Sequence, residues 1–146
     1  MNLLREFKKD EIASLVQQWL GVFARDRQGM NTEAYMWHVF SGSRYPALAG
    51  EQARVEYLKQ VCCEFVVLSN DRNAAVLTDT RPEDRPFSDF YVFPPNLAWT
   101  MAFTHEEGWL GPYFAQHPRY ADFNQANILK VKKQAEITRA RSRGWI

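Results

Sequence analysis

Apolar residues Ile12, Leu15, Val16, Trp19, Leu20 and Phe23 recur at helical spacing behind Asp10, whose side chain suits an N-cap, and predict a helix over 11–24. Polar residues 25–28 end it, and Gly29 can take the left-handed turn past a helix end. Residues 35–40 are dense in bulky side chains and read either as a helical turn or as a short strand. Trp37, His38, Val39 and Phe40 together suggest a core crossing, with an interface anchor as the functional alternative. A loop over 41–46 leads to a second helix over 50–60, with Ala53, Tyr57, Leu58 and Val61 on one side. β-branched and apolar residues at 64–69 and 74–79 flank the turn formers Asn70, Asp71, Arg72 and Asn73, which predicts an antiparallel hairpin. After a polar loop over 80–89, residues 90–93 read as a third strand stopped by Pro94 and Pro95. Residues 98–106 alternate as a half-buried strand, with Trp99, Met101, Phe103 and His105 on one face and Thr100, Ala102, Thr104 and Glu106 on the other. A turn over 108–111 precedes a further strand opened by Tyr113 and Phe114. From Asp122 the chain reads as a helix whose apolar content is modest (Phe123, Ala126, Ile128, Val131, Ala135, Ile137) and whose polar face is basic.

Helices at both ends of an antiparallel sheet make an α+β fold: an N-terminal helix, a second short helix and a basic C-terminal helix. The 146 residues suit a single domain over 1–146, with a core over 1–118 and a C-terminal helical extension over 119–146. At 14% the aromatic content is high, which favours large packing units in a core or an interface. The net charge of +1 says little about partners, but its distribution says more. Between 79 and 107 the acids Asp79, Glu83, Asp84, Asp89, Glu106 and Glu107 outnumber Arg81 and Arg85. The tail reverses this, setting Lys130, Lys132, Lys133, Arg139, Arg141 and Arg143 against Glu136, and reads as a solvated helix face. Charges interrupt the N-terminus before a signal-peptide core could form, and no apolar run approaches a membrane span. Cys62 and Cys63 are neighbours, so two free thiols are expected rather than a strained bridge, in keeping with a cytoplasmic setting.

Candidate chemistry concentrates in residues 92–114, where aromatics and turn formers surround His105, Glu106 and Glu107. The three histidines, His38, His105 and His117, lack metal-ligand spacing, and no metal or cofactor site is expected. Cys62 or Cys63 with His105 and Glu106 supplies the residue types of a thiol triad without any supporting spacing. His105 with Glu106 or Glu107 has the residue types for acid–base work, as in a small hydrolase or metal-assisted enzyme. The glycines form no phosphate loop, and a nucleic-acid partner, resting only on the basic tail and on aromatics that could be exposed, is disfavoured.

Two aromatic blocks carry a resemblance. Trp37, His38 and Phe40, the helix start at Gly50 and Ala53, Val92-Phe93-Pro94 and Asn96-Leu97 form the first part; Trp99-Thr100, Thr104-His105-Glu106 and Gly111-Pro112-Tyr113-Phe114 form the second. Over residues 15–114 the chain resembles a family of small bacterial proteins catalogued only as a domain of unknown function. The resemblance implies no catalytic residues. It implies a likeness to the immunity proteins of bacterial toxin systems, which bind a cognate toxin as a tight heterodimer and need charge complementarity rather than catalysis. The expected contacts are then Asp79, Glu83, Asp84, Asp89, Glu106 and Glu107, facing a basic cleft on the toxin. The alternative is the enzyme built on His105.

Overall fold

The computed structural model describes residues 2–83, 88–105 and 110–144. Seven strands form one sheet: β1 (Leu3–Glu6), β2 (Leu48–Ala49), β3 (Phe65–Ser69), β4 (Ala75–Thr78), β5 (Phe90–Phe93), β6 (Trp99–Phe103) and β7 (Tyr113–Gln116). Their spatial order is β1-β4-β3-β5-β6-β7-β2, with every pairing antiparallel. The helices are α1 (Lys9–Phe23), α2 (His38–Ser41), α3 (Glu51–Lys59) and α4 (Tyr120–Ser142). The fold is α+β, and no described helix is long and apolar enough to cross a membrane.

Both faces of the sheet are covered. Strand alternation sends Val66, Leu68, Tyr91, Phe93 and Ala102 to one face, where they meet Val16, Trp19, Leu20 and Phe23 of α1 and Trp37, Val39 and Phe40 around α2. The opposite set, Phe65, Phe90, Val92, Trp99, Met101, Phe103 and Phe114, packs under Ala53 and Tyr57 of α3, with Tyr120 and Phe123 of α4 at the edge. Trp19 lies under α1 and donates its indole N–H to Thr100 Oγ1 at 2.9 Å, so its large apolar body is buried without an orphaned donor. The bulky run 35–40 is a helical turn in the core, with Trp37 and Val39 almost fully buried.

Several sequence expectations need correction. The α1 N-cap is Lys8 rather than Asp10. Glu11 accepts the Lys8 backbone N–H at 2.9 Å, while Asp10 sits in the first turn, where its charge favours the helix dipole. In α3 only Ala53 and Tyr57 are buried; Leu58 is exposed, since i and i+4 share a face and i+5 does not, and Val61, also exposed, lies past the helix end at Lys59. β6 is buried at all five positions rather than half-buried, because helices cover both sides. It ends at Phe103, and the chain then leaves the strand alternation, so the His105 ring sits near Trp37 on the α1 face instead of beside Met101 and Phe103. The C-terminal helix starts at Tyr120, two residues before Asp122. β1 and β2 had no counterpart in the predicted elements. The predicted turn over 108–111 falls partly outside the described residues.

Candidate functional site

A polar cluster inside the fold gathers around Asp89. The chain enters β5 at this residue, next to the end of β6, and its side chain is 11% exposed. One carboxylate oxygen accepts the His105 backbone N–H at 2.9 Å and His105 Nδ1 at 2.7 Å, and the other accepts the Trp37 indole N–H at 2.8 Å. An ionised carboxylate only accepts, so Nδ1 is the protonated ring nitrogen facing it. The Asp89 carbonyl accepts the Asn70 N–H, and Asn70 Oδ1 accepts the Tyr91 hydroxyl at 2.6 Å. Burial, in turn, raises the Tyr91 hydroxyl well above its usual range. The Tyr35 ring lies 5.2 Å from His105 and 5.4 Å from His38, bringing two of the three histidines to one aromatic patch. His38 Nδ1 lies 2.8 Å from the Asn31 carbonyl.

This arrangement holds His105 in the orientation of a general base, but the same carboxylate also closes the loop at 105 and satisfies Trp37. Cys62 and His105 do not meet. Cys62 packs against the opposite core cluster, across the sheet from the His105 ring. Burial pushes its thiol up to about 12, against the pull of nearby Arg81. Both cysteines are free.

The expected acidic contacts that are described differ in environment. Asp79 is exposed, with its carboxylate accepting Asn2 Nδ2 at 2.8 Å and the Thr80 hydroxyl at 3.1 Å. Glu83 is exposed on the loop after β4. Asp89 is turned inward, as just described. Asp84, Glu106 and Glu107 lie outside the described residues.

The loop after β4 is tied down by residues that sequence reasoning passed over. The Tyr57 hydroxyl donates to the Pro82 carbonyl at 2.5 Å. The Arg81 guanidinium sits over the Tyr57 and Phe65 rings, 5.9 and 5.8 Å from their centroids, and donates to the Gln60 carbonyl. Between this loop and the hairpin lies a cleft of about 290 Å³, floored by Val67, Val76, Pro82 and Phe90 and bordered by Ser69, Glu83 and Asp89. Val67 and Val76 are register partners across β3 and β4, so their shared face was readable from alternation. At the hairpin turn Asp71 accepts the Ser69 hydroxyl at 2.6 Å, which with the Asn73 N–H lowers its pKa.

Comparison with curated proteins and with solved structures finds no match. Residues 2–114, from β1 to the start of β7, match the family model described as "Domain of unknown function (DUF4275)", leaving α4 beyond the matched part. The chain belongs to the DUF4275 family.

Proposed function

We propose that this protein is a cytoplasmic, non-enzymatic immunity protein that neutralises a cognate bacterial toxin by forming a tight heterodimer. The observation that carries the reading is an apolar cleft beside an acidic stretch whose described flanks, 79–83 and 88–89, are tied to the body. Asn2 holds Asp79, Tyr57 holds Pro82, and His105 and Trp37 hold Asp89. Glu83 is left exposed at the cleft edge. Side chains already held in place lose little conformational entropy on association, and an apolar recess edged with charge suits a basic, partly apolar contact on a partner.

The test is co-expression with the product of an adjacent toxin-domain gene. A stable complex is expected, weakened at least tenfold by Glu83→Lys or Val76→Arg while the thermal midpoint stays within a few degrees of wild type. A neighbour that neither binds nor is neutralised sinks the reading. The enzyme alternative has one observation in its favour, the 2.7 Å pairing of His105 Nδ1 with Asp89. It requires that His105→Gln abolish a turnover that the folded wild-type protein displays.

A further inference from the structure

α4 is 23 residues long, and Asn127 is its one buried residue among those described. At 1.5 Å per residue it is roughly 35 Å long. Its first two turns are fixed to the body. Asn96 Nδ2 donates to the Phe123 carbonyl and to Asn127 Oδ1, both at 3.0 Å, and the Tyr120 hydroxyl donates to Gln60 Oε1 at 2.9 Å. Beyond Asn127, among the described residues, no hydrogen bond or ion pair joins residues 128–142 to another element; the side-chain bonds there, Thr138 to Gln134 and Ser142 to Arg139, stay within the helix.

The distal surface carries Lys130, Lys132, Lys133, Arg139, Arg141 and Arg143 against Glu136. With 3.6 residues per turn, Lys130 and Arg141 fall within about 20° of each other, while Lys132 and Arg139 fall within about 20° of each other on nearly the opposite side, where Glu136 also lies about 40° from Lys132. The apolar residues form only a narrow strip: Ile128, Val131 and Ala135 fall within about 60°, whereas from Val131, Leu129 lies about 160° round the helix and Ile137 about 120° the other way. A helix that lies on a lipid surface needs a wide apolar face, and a strip of two branched residues and an alanine does not make one. What it presents is cationic flanks on opposite sides.

We propose that the distal half of α4 is a DNA-binding arm that lies in the major groove of a duplex, with each cationic flank on the phosphates of one wall. The groove is about 12 Å wide and admits a helix about 10–12 Å across, whereas the major groove of A-form RNA is too narrow. The contacts are with the backbone, so binding is sequence-tolerant and governed by released counterions. This is independent of the toxin-binding reading, which rests on the cleft and the acidic loop.

The full-length protein is titrated into a fluorescein-labelled 20-base-pair DNA duplex and followed by anisotropy. With four or five phosphates neutralised, affinity is expected to fall by about 100- to 500-fold between 50 and 200 mM salt. The variant carrying Lys130→Gln, Lys132→Gln, Lys133→Gln, Arg139→Gln and Arg141→Gln should lose at least tenfold in affinity at low salt, with an unchanged thermal midpoint. Absence of binding at 50 mM salt overturns the proposal, as does equal binding by that variant. So does equal affinity for a duplex RNA of the same length, for polyglutamate, or for vesicles containing phosphatidylserine.

Discussion

β6 and the distal half of α4 are opposite solutions to the same problem of holding a chain in regular structure. All five residues of β6 are buried, and each side chain meets helix-borne or neighbouring-strand side chains on its own face of the sheet. In the 23 residues of α4 one is buried, and the helix continues for some four turns past its last tie to the body. The strand is stabilised by what surrounds it. Helices in proteins draw most of their stability from packing an apolar face, so the arm relies instead on propensity and on its anchored first turns. Density of packing, not the kind of secondary structure, separates the cooperative unit from its appendage.

That contrast can be broken at four places. The largest effect belongs to Trp99, whose ring stacks on Phe114 with centroids 5.8 Å apart and meets Tyr57 edge-on at the same distance. Trp99→Ala should cost about 3–5 kcal/mol in urea unfolding, a large part of a typical domain's stability. Next comes Asp89→Ala, which strands the His105 N–H, His105 Nδ1–H and the Trp37 indole N–H together. A loss of about 3 kcal/mol is expected, with Asp89→Asn recovering part of it because one acceptor oxygen remains.

His117 offers a smaller effect at the joint between the two regions. Its Nδ1 accepts the Arg119 backbone N–H at 2.8 Å just before α4, so the ring is neutral there. Burial first, then the nearby Arg119 and Arg25 charges, lower its pKa. A depressed folded-state value means that its contribution is complete above the ordinary histidine range, near about 6.5, and is lost as pH falls through the folded value. Unfolding midpoints should therefore decline as pH falls below that range, and His117→Gln should flatten the decline. The smallest effect tests the arm itself. Ala135→Pro should lower helical ellipticity at 222 nm yet leave the global unfolding midpoint where it was; a cooperative loss of the body would show the arm to be part of the core after all.

Legibility in the sequence followed the same division. α1 and the β3–β4 hairpin announced themselves because their periodicities of 3.6 and 2 record a buried face. β1 left no such record: Leu3, Leu4, Arg5 and Glu6 are all exposed, and the strand exists through backbone pairing with β4. β2 is two residues long, too short for any period to register. At the site, the alternation that extends through Phe103 does not reach His105, because the strand ends first. The true partner, Asp89, lies 16 positions away on β5's entry, and nothing in a loop carboxylate's neighbours reveals that it will be enclosed by an indole and an imidazole. The fold was written in repeated local patterns, whereas the Asp89 cluster depends on one long-range encounter.

The paired amides of Asn96 and Asn127 have a further consequence. Each side chain donates to the other's oxygen, at 3.0 and 3.3 Å, and Asn96 also accepts the Ala98 N–H that leads into β6. The helix is thereby keyed to the sheet instead of swinging on a tether. A ligand on the distal helix and one in the cleft would be held at a set separation by a stiff lever. For a complex that offers both surfaces, the second attachment becomes intramolecular, at an effective concentration fixed by the lever's angle and length. Loosening the Asn96–Asn127 joint would then weaken such bivalent binding while leaving each single-site affinity unchanged.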